Sequence, residues 1–218
     1  MQRLLDIIFS ALALVVLSPL LLPITLVLRF TGEREVFYTQ TRIGRGGEPF
    51  GILKFATMLR NSPNIGAGEI TLVDDPRILP FGRFLRKTKL NELPQLLNIL
   101  RGDLSLVGPR PMVPNTFAEY PADAREDIES VLPGLTGVGS IIFRDEERFL
   151  AGRDNPHAFY REVIIPYKAA LEQWYVRRRN LRTYLEVIGL TAWVVLFPNS
   201  QMPWRVWPSL PKLPEGFG

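Results

Sequence analysis

The segment 83–111 (RFLRKTKLNELPQLLNILRGDLSLVGPRP) holds the densest grouping of residues able to do chemistry. Arg83, Arg86, Lys87 and Lys89 form a cationic lead-in to Asn91 and Glu92. Leu90, Leu93, Leu96, Leu97 and Leu100 then recur at helical spacing. Proline is tolerated in a first turn, so Pro94 predicts a helix beginning near Glu92, with Asn91 as its N-cap. Gly102 supplies the stop. The free N–H groups and dipole at such a start attract phosphate, and flanking cations strengthen the attraction. Glu92 would repel that phosphate unless a divalent cation joins them. Mg²⁺ takes one or two protein carboxylates and completes its shell with phosphate oxygens and water. Asp103 is a second candidate in support. A first-turn acid that only stabilises the dipole is the other reading of Glu92.

Gly108-Pro109-Arg110-Pro111 is stiff on both sides of its arginine, because proline fixes its own φ and pushes the preceding residue to extended geometry. A guanidinium launched from such a backbone suits bidentate phosphate or nucleotide contacts. A rigid turn with a solvent-facing arginine is the plain alternative.

The elements that must position these groups are legible in outline. Ile7 to Leu28 is a run of 22 residues without a charge, enough to span about 30 Å of hydrocarbon as a helix. It is too long for a signal-peptide core. Ser18-Pro19 and Pro23 predict a kink, and Ser18 can re-satisfy a freed carbonyl. Arg3 lies on one flank and Arg29, Arg34, Arg42 and Arg45 on the other, so both flanks favour the cytoplasm. These features fit a re-entrant helical hairpin; a kinked span remains open. Residues 35–58 read as two strands around Gly44, Gly46 and Gly47, a hairpin whose turn is either plain or a phosphate nest. Residues 59–76 are loop-like, and 123–131 suggest a short charged helix. Residues 155–197 read as helix interrupted at Pro166. The basic stretch Tyr175 to Arg182, beside Trp174, Tyr175 and Trp193, suits an interfacial helix or a solvated face beside a core helix. Residues 199–218, rich in proline and glycine with Trp204 and Trp207, read as an irregular tail.

Composition narrows the function classes. The 218 residues carry no cysteine and one histidine, which excludes thiol chemistry, zinc ribbons and multi-histidine metal sites. A net charge of +4 fits phosphate-bearing or membrane-surface partners. Acids are too interspersed and aromatic platforms too few for a nucleic-acid footprint. The fold class is α+β, mostly helical with a small β-hairpin, an N-terminal re-entrant membrane helix and interfacial amphipathic helices. The expected units are 1–30 in the membrane, 31–198 as a cytoplasmic domain and 199–218 as the tail.

The chain resembles the bacterial sugar transferases, the monotopic phosphoglycosyl transferases. The likeness covers roughly residues 1–190 and runs through motifs in order: the apolar N-terminus with Ser18-Pro19, Phe37-Tyr38-Thr39-Gln40-x-Arg42-x-Gly44 and Lys54-Phe55-x-Thr57-Met58. It continues through Gly82-Arg83-x-x-Arg86-Lys87-Thr88, Asn91-Glu92-Leu93-Pro94-Gln95-Leu96-x-Asn98, Gly102-Asp103-x-Ser105-x-Val107-Gly108-Pro109-Arg110-Pro111 and Pro133-Gly134-x-Thr136-Gly137. The resemblance implies transfer of a sugar 1-phosphate from a UDP-sugar to undecaprenyl phosphate, with release of UMP and use of Mg²⁺. It implies the cytoplasmic face of a bacterial inner membrane, contact with inner-membrane lipids, and the opening membrane step of surface-glycan assembly. By motif position Glu92 takes the metal-binding role and Arg110 the nucleotide contact. Lys54, Arg83, Arg86 and Lys87 are candidate substrate-binding residues. A homodimer stays open.

Two departures from the family pattern matter. The nucleophile position, an aspartate in the family, is Asn91, whose neutral amide is not a competent phosphoryl nucleophile. The readings left open are an inactivating replacement, direct attack by the lipid phosphate, another carboxylate in the role (Glu92, Asp103 or Asp145), and a non-catalytic member that binds nucleotide sugar. The second departure follows Gly137. There Arg144-Asp145-Glu146-Glu147 either shapes the sugar pocket or supplies an acid, or is a solvated charged turn.

Overall fold

The structure, a computed structural model, describes residues 1–65, 74–144, 146–150 and 152–214. The apolar N-terminal run is helix α1 (Gln2–Phe30), helical through both Pro19 and Pro23. Pro19 has no N–H for the Val15 carbonyl one turn back; the Ser18 hydroxyl donates to that carbonyl instead, at 2.8 Å. Composition makes α1 apolar all round, but packing divides it. Leu12, Val15, Val16, Leu22 and Leu26 are exposed, whereas Asp6, Ser10, Ile24 and Leu28 are buried.

The buried face of α1 lies along the rest of the molecule. Ala13 and Leu14 pack against Ile52, Leu96, Ile99 and Leu104, while Ile24 and Leu28 pack against Phe55 and Leu85. Near its start, Asp6 accepts from Tyr184 Oη at 2.8 Å, the Leu106 amide at 3.0 Å and Ser105 Oγ at 3.1 Å. Arg3 donates to the Ile99 and Leu100 carbonyls at the end of a later helix, where a cation complements the dipole.

Strands β1 (Phe37–Ile43) and β2 (Pro49–Phe55) form the expected antiparallel hairpin, with Gln40 opposite Ile52. A 3₁₀ turn over Arg45–Gly47 closes it, with Gly46 and Gly47 at positive φ. A Cβ at Gly47 would lie 3.3 Å from Glu129 Oε1, so an acid stands beside this turn. That favours the plain turn over a phosphate nest.

Helix α2 (Pro80–Lys87) is pressed onto the chain after β2: a Cβ at Gly82 would lie 2.2 Å from the Thr57 carbonyl oxygen. The next helix starts later than the sequence predicts. Lys89 takes a left-handed conformation, Leu90–Glu92 form a 3₁₀ turn, and α3 (Gln95–Arg101) follows Pro94. The amides of Glu92 and Leu93 bond three residues back, to Lys89 and Leu90. Regular helix therefore begins only beyond the proline, and the Asn91 side chain caps nothing. Gly102 ends α3 in the left-handed conformation, as expected.

A second sheet was not anticipated: β3 (Ser105–Val107) pairs in parallel with β4 (Gly134–Thr136). Between them run α4 (Pro114–Ala118) and α5 (Ala122–Glu129). After β4 come α6 (Val138–Ile142), α7 (Glu146–Leu150) and α8 (Pro156–Phe159). Pro166 does not interrupt the long helical region. A π-helical turn over Tyr160–Ile164 leads straight into α9 (Ile165–Arg178), where Pro166 occupies the first turn and needs no donor. The break falls at Asn180 instead, whose side chain accepts from the Thr183 amide at 2.9 Å and starts α10 (Leu181–Leu196).

The largest core joins α6, α9 and α10 through Val138, Leu171, Trp174, Tyr175, Tyr184 and Val187. Trp174 and Tyr175 thus belong to the interior, while Trp193, Leu185, Val195 and Leu196 stay exposed on α10. The tail is not wholly irregular. It carries α11 (Met202–Val206), buries Trp207 and Leu210 in the same core, and sets the Trp207 ring 5.6 Å from that of Trp174.

Asp6 is the main polar tie between α1 and the rest of the chain. Asp6→Ala leaves a part-buried amide and a buried phenol without an acceptor, and should cost about 2–4 kcal/mol. Denaturant unfolding in detergent micelles measures this. Asp6→Asn, which keeps an acceptor oxygen, should cost less. Equal stability of Asp6→Ala and the parent would remove the tie from the account.

Candidate functional site

The hairpin, α2, the 3₁₀ turn and the segment after β3 converge on one open cleft of about 2370 Å³. Asn98 fixes one wall. Fully buried in α3, it donates to the Gly51 carbonyl at 2.8 Å and accepts the Leu53 amide at 2.9 Å, and so serves the free edge of β2 as a neighbouring strand would. β2 is thereby locked to α3, and Lys54 to Glu92.

Gly108 and Gly134 fix the other wall. Gly134 donates to the Pro109 carbonyl at 2.8 Å, and a Cβ at Gly134 would fall 2.1 Å from the Gly108 nitrogen. Only glycine permits this approach, which carries β3 directly into the Pro109–Pro111 segment.

These walls bring Glu92 between two cations. Its Oε1 accepts from Arg110 Nη2 at 2.8 Å and from Lys54 Nζ at 3.4 Å. Burial alone would raise the Glu92 pKa, but Arg110 and Lys54 outweigh it and hold the carboxyl well below the usual carboxylate range. Glu92 in turn raises the Arg110 pKa. Lys54 moves the other way. Burial lowers its pKa to about 8, with Arg110, Arg42 and Arg86 adding to the fall and Glu92 opposing it. Among the described residues no group of three or more acids and histidines could hold a metal. Among the described residues both Glu92 contacts fall on Oε1, which leaves the Oε2 lone pairs for a further partner. One carboxylate completed by phosphate oxygens is a donor set that suits Mg²⁺.

The candidate residues divide cleanly. Lys54, Arg83, Arg86, Lys87, Asn91, Glu92, Arg110 and Arg144 all line the cleft. Arg144 is fastened at both ends: its carbonyl accepts from Lys89 Nζ at 3.2 Å, and its guanidinium donates to the Val194 carbonyl. Asp103 does not line the cleft. It lies past the far end of α3 and accepts from Asn98 Nδ2 at 3.1 Å, which orients the amide that holds β2. Asp145 lies outside the described residues.

The sequence reading missed a second charged group on the same cleft. Lys168 Nζ donates to Glu146 Oε1 at 2.6 Å, and Glu172, 4% exposed, accepts the Arg110 backbone amide at 3.2 Å through Oε1. Burial pushes the Glu172 pKa up to about 7. The signal was available: Lys168 and Glu172 stand one turn apart among Ile165, Ala169, Leu171 and Tyr175, and a charge within an apolar stripe needs a partner. Arg42 was likewise overlooked as a site residue. It lines the cleft and donates to the Pro111 carbonyl at 3.0 Å.

Cationic side chains from β1, β2, α2 and the Pro109–Pro111 segment line one cleft around an ionised carboxylate. The chain belongs to the bacterial sugar transferase family, whose model matches residues 1–198. Among similar proteins, the exopolysaccharide production protein ExoY of Sinorhizobium fredii is 40% identical over 66% of this chain and 70% of its own length. The undecaprenyl-phosphate galactose phosphotransferase of Salmonella typhimurium is 32% identical over 90% of this chain. The UDP-glucose:undecaprenyl-phosphate glucose-1-phosphate transferase of Caulobacter vibrioides is 39% identical over 64% of this chain and 53% of its own length. The match covers only 40% of the Salmonella protein.

The Lys54–Glu92–Arg110 arrangement makes a signed prediction. Glu92→Gln removes the carboxylate that favours the Lys54 ammonium and leaves Arg110, Arg42 and Arg86, which oppose it, so Lys54 should titrate below about 8. The pH dependence of Lys54 acylation, followed by peptide mass spectrometry, reads this directly. An upward shift would contradict the pairing. In the unsubstituted chain Lys54 binds fewer protons in the folded state than in the unfolded between pH 8 and 10.5, so its penalty on folding shrinks as pH rises through that window.

Proposed function

We propose that the chain transfers a sugar 1-phosphate from a UDP-sugar to undecaprenyl phosphate, releasing UMP, at the cytoplasmic face of a bacterial inner membrane. This would be the first membrane step in assembling a surface glycan. The observation that carries the reading is Glu92, held ionised by Arg110 and Lys54 on a cleft that also receives Arg83, Arg86, Lys87 and Lys89. The relatives' names supply the substrate classes.

In this reading Glu92 holds Mg²⁺, which neutralises pyrophosphate charge when bound. Arg110 and Lys54 orient the donor, and the cations of α2 steer both phosphates. Positioning and charge stabilisation dominate phosphoryl transfer. Asn91 offers no nucleophile, so the direct route is attack of a lipid phosphate oxygen on the β-phosphorus of the donor. The bond from that phosphorus to the bridging oxygen breaks, UMP leaves, and the product is a polyprenyl diphosphate sugar. A second reading, nucleotide-sugar binding without turnover, is favoured by that same amide.

The membrane part of the proposal is that α1 enters one leaflet and both its flanks stay cytoplasmic. Both ends of α1 rest on the same folded body, Asp6 against Ser105 and Tyr184, and Leu28 against Phe55 and Leu85. A helix that crossed the bilayer would separate its ends by about 30 Å of hydrocarbon. The exposed apolar residues of α1 and α10 would face lipid.

Purified protein incubated with Mg²⁺, undecaprenyl phosphate and a panel of UDP-sugars should release UMP from at least one donor. Release should need the lipid and stop when EDTA removes the metal. Release without lipid, with label trapped on protein, would overturn direct attack. Binding without release from any donor would leave the second reading. Asn91→Asp should change the rate greatly if the carboxylate is the missing nucleophile, and little if the lipid phosphate attacks directly.

Single cysteines placed on the two flanks of α1 should both be labelled from the cytoplasmic side, against a native background free of cysteine. Labelling from opposite sides would exclude the one-leaflet arrangement.

A further inference from the structure

Three buried side-chain oxygens on the cleft have no hydrogen-bond partner among the described residues: Asn91 Oδ1, Ser140 Oγ and Glu172 Oε2. Buried polar atoms left unpaired are costly and rare, so each calls for a ligand or water to complete it. Glu172 lies against the helix that carries Ser140. Ser140 follows Gly139 in α6, and a Cβ at Gly139 would lie 2.4 Å from Glu172 Oε1. The absent side chain at Gly139 is what lets α6 and the Glu172 carboxyl meet.

The chemistry of these atoms selects the ligand. A carboxyl oxygen repels phosphate, which brings only acceptors and negative charge. It pairs with a group that donates, a hydroxyl or an amide N–H. Glu172, its pKa raised by burial to about 7, can also hold a proton and donate in return. Ser140 Oγ both donates and accepts. The position agrees, because Glu172 Oε1 holds the backbone amide of Arg110, the residue whose guanidinium grips Glu92. A donor whose pyrophosphate lies at Glu92 and Arg110 would carry its next group toward Glu172.

We propose that Gly139, Ser140 and Glu172 form the subsite for the sugar ring of the donor, whose hydroxyl or acylamino groups complete Glu172 Oε2 and Ser140 Oγ. This rests on the nucleotide-sugar reading above. It places sugar recognition on α6 and α9, of which α6 lies in the segment after Gly137 where the chain departs from the family pattern.

Equilibrium binding of UDP, UDP-glucose and UDP-galactose to the full chain in detergent micelles tests it. Glu172→Gln keeps an acceptor for the Arg110 amide but presents an NH₂ group to the ligand. It should weaken the UDP-sugars about 10- to 100-fold, and Ser140→Ala about 3- to 10-fold, as expected for loss of one specific hydrogen bond. UDP, which has no sugar ring, should bind both variants as it binds the parent. Equal weakening of UDP and the UDP-sugars would mean that Glu172 acts through Arg110 or on the nucleoside; this would overturn the subsite and leave the nucleotide-sugar reading standing. Unchanged UDP-sugar binding in both variants would assign the unpaired oxygens to water and overturn the subsite as well. Failure of the parent to bind UDP or either UDP-sugar would overturn the nucleotide-sugar reading, and the subsite with it. Should Glu172→Gln lose cooperative unfolding, Ser140→Ala carries the test alone.

Discussion

A carboxylate withdrawn from water and still ionised is the constraint on which the site depends. Glu92 pays for desolvation through Arg110 and Lys54, and each cation depends on Glu92 in turn. Removing one partner from such a group leaves an uncompensated charge, which is why the three must arrive together. They come from a strand, a 3₁₀ turn and a proline-flanked loop, so their meeting depends on how those segments are held.

The holding is done by backbone contacts more than by charges. The Asn98 amide takes the place of a neighbouring strand for β2 and fixes Lys54 relative to the turn that carries Glu92. Gly108 and Gly134 bring two chain segments closer than any side chain would allow, which places Pro109–Pro111 on the opposite wall. Glu172 then fixes the Arg110 amide from α9. Asp103, close in sequence to Asn91 and Glu92, acts in this structure as the orienter of Asn98.

α1 belongs to this framework and is not a detached anchor. Its inner face completes two of the hydrophobic clusters under β2 and α3, and Asp6 links it to β3 and α10. Its outer face, like that of α10, exposes leucine and valine. A lipid surface at those faces would lie against the same body that carries the cationic cleft. Charge and apolar area would then work together, as they do for interfacial helices.

Much of this could be read from the residues alone, because the signals involved are local. The apolar run, the glycine-turn hairpin, the Gly102 stop and the stiff Gly108–Pro111 segment each follow from side-chain chemistry over a few neighbours. The ordered motifs carried the family. Ser18 satisfying the Val15 carbonyl was equally local. The start of α3 was misplaced because a 3₁₀ turn and an α-helix compete over a single turn, and the composition of Leu90–Leu93 favours neither. Pro166 reads as a break because nothing in the sequence marks the π-turn over Tyr160–Ile164 that leads straight into α9 and leaves the proline in its first turn.

What the sequence could not supply is contact between distant segments. The parallel pairing of β3 with β4, the Asn98 bridge to β2, the seating of Trp207 in the core and the approach of Glu172 to Gly139 all join residues far apart in the chain. Local propensity carries no information about such pairings; they are decided when whole surfaces are buried together. Residue types therefore determined the family and the local elements, a cation-rich helix start beside a long apolar run. Tertiary structure decided which carboxylates face the cleft, which serve the scaffold, and which polar atoms remain open to a ligand.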